Sequence, residues 1–194
     1  MSGFARHRRS GHVIATFSGF EADLLRSLAG QLVELLRNEA AVPRNVEDTF
    51  EAMMDFSGPT SAPEDPVLAR LFPTAYEHDD EAAAEFRRFT EGALRDGKAD
   101  GAATIIDTLE DAGLPPELTE DGLMIDVEME EPVAEAWLRS FTDLRLALAT
   151  RLGVEEDDED LWEAMPDDDP RVQAYDIYQW VGLLQETLVD ALSE

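Results

Sequence analysis

Residues 131–153 read EPVAEAWLRSFTDLRLALATRLG, and this stretch decides the fold. Pro132 stands in the first turn of the helix it predicts and Gly153 just past its end, the places where each residue is least costly. Between them Leu138, Phe141, Leu148 and Leu152 recur at helical spacing, and Trp137 and Leu144 widen the stripe. Ordering the backbone costs about 1–2 kcal/mol per residue, so a helix this apolar persists only with other elements packed around it.

Working outward, residues 4–17 read as a hairpin that turns at Ser10-Gly11. Ser18 with Glu21 three residues on forms a capping box for a helix lined by Leu24, Leu28, Leu32, Leu35 and Leu36 and ending near Asn38. Shorter helices are predicted at 46–56 and 66–72, separated by a mobile loop at 57–66 that holds three prolines. Residues 80–96 predict a helix carrying Phe86, Phe89 and Leu94 beside Arg87, Arg88 and Arg95. Gly97 interrupts it, and a further helix runs over 99–112 through Ile105, Ile106 and Leu109 to the Gly113-Leu-Pro-Pro116 stop.

Leu123, Ile125, Val127 and Met129 alternate with polar neighbours as in a half-buried strand, which we pair with residues 12–17. An acidic loop follows at 154–170, with one short turn near Leu161 and Trp162. Residues 171–192 close the chain as a helix with Ile177, Trp180, Leu184 and Leu188 inward. The expected class is mostly α (α+β). It is a single-domain helical bundle over residues 1–194, with a small antiparallel sheet formed by the N-terminal hairpin and one central strand.

Forty-four acidic residues against 15 basic ones give a net charge of −29. Lys98 is the only lysine. This bias toward arginine, alanine and acids is also what a GC-rich coding sequence or adaptation to salt produces. Such a field repels nucleic acid and anionic membranes and attracts basic proteins. The absence of cysteine excludes disulfides and thiolate chemistry. No apolar signal core opens the chain and no run reaches the ~18 residues of a membrane span, so a soluble cytoplasmic protein is expected.

No G-x-S-x-G, P-loop or dinucleotide glycine pattern is present, and no catalytic residue or cofactor is nominated. His7, His12 and His78 are scattered, whereas a catalytic zinc site needs about three convergent ligands. His78-Asp79-Asp80-Glu81 reads as a helix N-terminus, where acids favour the dipole. The run from Glu155 to Asp160 lacks the central glycine and alternating ligands of an EF-hand and reads as a solvated loop. No metal site is expected. Arg145 falls inside the apolar stripe, where an unpaired charge is very costly. It implies either an ion pair with an acid such as Asp176 or Glu186, or an anion or ligand site between helices.

Four stretches carry a family resemblance: residues 4–36; Phe86-Arg-Arg-Phe-Thr-Glu91 with Leu94 and Lys98; residues 137–154; and Tyr178-Gln-Trp-Val-Gly-Leu-Leu-Gln-Glu-Thr-Leu188. Together they are similar to an actinobacterial family labelled domain of unknown function twenty-seventeen. Its members are also described as AosR-like oxidative-stress transcriptional regulators that act with the transcription machinery, and are often encoded near the ClpS adaptor. The resemblance implies a regulator but assigns no functional residue, and a chain without cysteine has no thiol switch. The expected function is a non-enzymatic regulatory protein working through protein contacts, with transcription machinery as partner and direct nucleic-acid binding disfavoured. Its candidate contacts are basic Arg6, Arg8 and Arg9 and acidic Glu155, Glu156, Asp157 and Asp158. The alternatives are an adaptor of Clp proteolysis and an enzyme with a helix-lined pocket near Arg145. Oligomeric state stays open.

Overall fold

A computed structural model describes residues 3–38, 58–118, 122–155, 158, 162, 164–166 and 168–193. Strand β1 (Phe4–Arg6) and strand β2 (Val13–Ser18) form the expected hairpin, in which Gly11 takes a φ of 75°. That is a left-handed conformation suited to glycine. On its other edge β2 pairs antiparallel with β3 (Met124–Met129), setting Val13 opposite Met129 and Phe17 opposite Ile125. The sheet order is β1-β2-β3. Val13, Ala15 and Phe17 face inward with Ile125, Val127 and Met129, as the alternation predicts.

Helix α1 (Gly19–Asn38) follows β2 without an intervening residue. The capping box is made: the Ser18 amide and hydroxyl each donate to Glu21 Oε2 at 2.8 Å, and the Glu21 amide donates to Ser18 Oγ at 3.3 Å. Its inward face is centred on Ala22, Leu25, Ala29, Leu32 and Leu36, while Leu24, Leu28 and Leu35 are only half-buried. A leucine-only reading passes over the two alanines, whose small size lets neighbours approach.

The helix predicted at 46–56 lies outside the described residues, and so does Ser57 at the start of the 57–66 loop. Residues 58–65 are irregular and lead into α2 (Pro66–Leu71). Asp65 caps α2 by accepting the amides of Val67 and Leu68 at 2.7 and 3.2 Å, and it also meets Arg151 at 2.8 Å. Burial pushes its carboxyl up, but the Leu68 and Val67 amides and Arg151 outweigh this and hold it below the ordinary 3.8. A depressed folded pKa means that the stability Asp65 contributes is present above 3.8 and is lost as pH falls through the folded value. An NMR titration of the Asp65 carboxyl should give a midpoint below 3.8; one at or above it would contradict the cap.

Helix α3 (Asp80–Asp111) opens as expected at Asp79, whose carboxylate accepts the Ala82 amide at 3.0 Å. The break expected at Gly97 does not occur. An interior glycine costs only about 1 kcal/mol, and Arg95 and Ala99, buried on either side of it, hold the helix together. Helix α4 (Glu131–Leu152) is the organising helix, with proline in its first turn and Gly153 as a left-handed cap at φ 73°. Its deepest residues are Ala134, Trp137, Phe141 and Leu144; Leu138, Leu148 and Leu152 are half-buried. Helix α5 (Pro170–Ser193) packs on α4 and on β1, and buries Val181, Leu184, Leu188 and Ala191. Ile177 and Trp180 are half-buried.

The centre of the core is aromatic. Trp137 stacks on Phe17 at 6.2 Å and meets Phe4 and Phe141 edge-on at 5.8 Å each. Its indole N–H donates to Thr108 Oγ1 at 3.3 Å, which ties α3 to the same point. Five helices around this three-stranded antiparallel sheet give the mostly helical α+β class among the described residues. No helix there is long and apolar enough to cross a membrane.

Candidate functional site

Helix α3 turns its charges inward and its aromatics outward, the reverse of what Phe86, Phe89 and Leu94 suggest in sequence. Those three side chains are 44%, 56% and 49% exposed, whereas Arg87, Glu91 and Arg95 are buried. The buried three are spaced i, i+4, i+8 and share one helix face. Glu91 receives Arg87 Nη1 on Oε2 at 2.6 Å, and Arg95 Nε and Nη2 on Oε1 at 2.9 and 2.8 Å. Each guanidinium also closes the end of another helix. Arg87 donates to the Phe72 carbonyl just past α2 at 3.2 Å, and Arg95 to the Leu36 carbonyl in the last turn of α1 at 3.3 Å. Final-turn carbonyls have no partner within their own helix and favour a cation. The Phe72 ring lies 4.9 Å from the Arg95 guanidinium.

The buried charges therefore fix which face of α3 meets solvent. Leu94 divides that face between two concavities. One is a groove of about 630 Å³ between α3 and α4; the other is a hollow of about 240 Å³ beside Phe86 and Pro73. Small residues floor the groove: Ala93, Gly97 and Gly101 from α3, Ala136 and Ser140 from α4. A Cβ at Gly101 would stand 3.0 Å from Ser140 Oγ, so the helices touch there only because the residue is glycine. Asp143 is buried in the groove wall with Lys98 Nζ on its Oδ1 at 2.6 Å. Its Oδ2 and the hydroxyl of Ser140, itself 2% exposed, have no hydrogen-bond partner among the described residues.

Comparison with known proteins places the chain. Residues 1–192 match the family described as Domain of unknown function (DUF2017). The chain belongs to this family. The chain is 32% identical over 183 residues to the Oxidative stress regulator AosR of Mycobacterium bovis, covering 87% of this chain and 77% of that protein. The Mycobacterium tuberculosis protein named Oxidative stress regulator AosR gives the same figures. A Mycobacterium leprae relative, also an AosR by name, is 34% identical over 186 residues, with 89% and 78% covered. No solved structure matches.

The match to the DUF2017 family takes in every residue singled out in sequence. Arg6 reaches Glu131 at 3.4 Å, and His12 meets Glu128 at 2.9 Å. The His12 and Ser10 hydrogen bonds hold the Glu128 carboxyl below its ordinary value. Only Arg8 and Arg9 of the basic hairpin stay exposed with no partner among the described residues. Of the acidic contacts, Glu156 and Asp157 lie outside the described residues. Asp158 accepts the Glu155 amide at 3.0 Å, and its carbonyl accepts the Trp162 amide at 3.2 Å. Trp162 is buried and stacks on Tyr175 at 4.6 Å, so this part of the segment is docked on α5 rather than wholly solvated. Leu161, predicted in the same turn, lies outside the described residues. Asp169 at its end is held at about 2 by the Arg171 guanidinium and amide.

Arg145 has no acid. The expected pairing with Asp176 or Glu186 is absent; Gln185 Oε1 accepts Nη1 at 2.9 Å, and Tyr178 contributes its hydroxyl at 3.5 Å and its ring at 5.3 Å. Its Nε is buried without a hydrogen-bond partner among the described residues. Gly182 makes room, since a Cβ there would sit 3.4 Å from Nε. With only neutral partners among the described residues, Arg145→Met is expected to change stability by no more than about 1 kcal/mol, roughly 2–4 °C in Tm for a chain of this size. A much larger loss would show that the charge itself is needed. The 630 Å³ groove is walled by Asp143 and not by Arg145, and Gln185 also donates to Thr142 at the groove's edge at 2.7 Å. Sequence reasoning missed the groove residues Gly97, Ser140 and Asp143. The readable signal was Arg87, Glu91 and Arg95 at four-residue spacing, which marks one face as a self-contained ion network.

Proposed function

We propose that the protein is a non-enzymatic regulator that acts by binding another protein, of the type its relatives' name, oxidative stress regulator, describes. The observation that carries this reading is the outward face of α3, where Phe86, Phe89 and Leu94 lie in solvent on a protein of charge −29. Large exposed apolar side chains on one helix face mark a contact surface, and the surrounding charge keeps the free protein soluble and draws in basic partners. Regulation here does not run through a thiol, because the chain contains no cysteine. Any transcriptional role is exerted through protein contact, since phosphate binding by a chain with so few bases is weak.

Affinity capture with the tagged full chain from its native cells tests this. A stoichiometric protein partner is expected at low salt, with release at roughly 1 M salt, where the Debye length falls to about 3 Å. Recovery of nucleic acid instead, or of no stoichiometric protein, would overturn the reading.

A further inference from the structure

The geometry points to a helix-docking channel: the groove between α3 and α4, continued past Leu94 by the hollow beside Phe86, receives a basic amphipathic helix of a partner protein. This assignment rests on the protein-contact reading and names the surface and the chemistry of its occupant.

Shape is the first argument. Phe86, Thr90, Ala93, Gly97, Gly101 and Thr104 line the two concavities at steps of three and four along α3. They form one seam about 27 Å long, the length of roughly 18 helical residues. Aromatic anchors at one end and a floor of glycine, alanine and serine at the other suit a helix laid in a groove, with its backbone close to α3 at the small-residue end.

Gly97 is the second. Ser140 explains Gly101, but a Cβ at Gly97 would meet no described atom within 4 Å, and its backbone does not need a positive φ. Glycine inside a helix weakens it relative to alanine. Gly97, like Gly92, leaves open space over the α3 backbone, room in which an incoming helix can approach closely.

Polar groups and charge fix the occupant. Ser140 Oγ and Asp143 Oδ2 stand in the groove without partners among the described residues, ready to accept from a donor on the incoming helix. Acids outnumber bases around the groove: Asp100 and Asp143 line it with Lys98 and Arg139, and Asp96 and Asp107 are exposed on α3. The nearby bases are already engaged, Arg139 by Glu135 at 3.5 Å and Lys98 by Asp143 at 2.6 Å. An apolar floor with acids in excess around it selects lysine and arginine on the flanks of the occupant. It disfavours a second copy of this chain, which brings the same acids and a further −29.

A synthetic peptide of about 18 residues, with leucine and alanine on one helical face and lysine and arginine on the other, is titrated at low salt into the isotope-labelled full chain. Amide shifts are expected to cluster at Ala93, Gly97, Gly101 and Ser140. Gly97→Gln, which fills open space, and Leu94→Glu, on an exposed side chain, should each weaken binding about tenfold or more. The melting temperature should hold in both and rise or stay level in Gly97→Gln. A peptide with the same apolar face and glutamates on its flanks should not bind. Shifts elsewhere, equal binding of the two peptides, or unchanged affinity in both variants would overturn the channel. A concentration-dependent dimer abolished by Gly97→Gln would assign the face to a second copy and overturn the partner assignment. If Gly97→Gln still captures the cellular partner, the channel falls while the protein-contact reading stands; if the unmodified chain captures none, that reading itself fails.

Discussion

Replacing Glu91 by glutamine is expected to destabilise the protein by about 3–5 kcal/mol, the range for breaking a buried ion pair. Glu91 is 2% exposed and serves Arg87 and Arg95 together, so its loss strips the shared counter-charge from two buried guanidinium groups at once. The damage reaches beyond α3, because those groups also hold the last carbonyls of α1 and the end of α2. Denaturant unfolding of Glu91→Gln against the unmodified chain measures the loss directly. Replacing all three charges with well-packed apolar residues should be far milder, since no charge then remains uncompensated. A Glu91→Gln protein within about 1 kcal/mol of the parent would mean that solvent reaches these arginines.

The second large effect is expected at Trp137. It is fully buried and touches Phe4, Phe17 and Phe141, so Trp137→Ala removes the side chain on which the sheet, α4 and the start of the chain converge. Large-to-small changes of this kind cost about 3–5 kcal/mol, depending on how far the site collapses. Thr108 Oγ1 also loses its indole donor, although that hydroxyl still donates to the Thr104 carbonyl at 2.6 Å. Denaturation midpoints with near-ultraviolet circular dichroism would check this. Retention of both stability and aromatic signal in Trp137→Ala would show that the cluster is not the centre of the core.

The sheet, both ends of α4 and the capping box of α1 were legible in sequence because each rests on local signals: alternation, a proline–glycine bracket, and a Ser-x-x-Glu pair. The inward face of α3 and its continuity through Gly97 were not. Phe86, Phe89 and Leu94 look like a core stripe when hydrophobicity alone is weighed, but Arg87, Glu91 and Arg95 satisfy one another and two helix ends, so the charged face is the one that packs. Gly97 looked like a break because its modest local cost was weighed without the tertiary contacts on either side. Arg145 was read as an ion-pair partner or an anion site, and among the described residues it bonds an amide and a phenol. Composition cannot show which neighbours α5 brings into reach. The groove had no sequence signature at all; it exists because Gly101 and Ser140 set how closely two helices touch, a distance that no periodicity encodes.

The sheet's central strand gains its second neighbour late. Phe17 lies opposite Ile125, and Ser18 opposite Met124, on a segment synthesised long after β2 leaves the ribosome. Closing so long a loop is slow compared with forming the hairpin or α1. During translation β2 therefore waits with one unpaired edge and with Val13 and Phe17 uncovered, and the nascent chain depends on its early acidic residues, or on a chaperone, to keep that edge from pairing with another polypeptide.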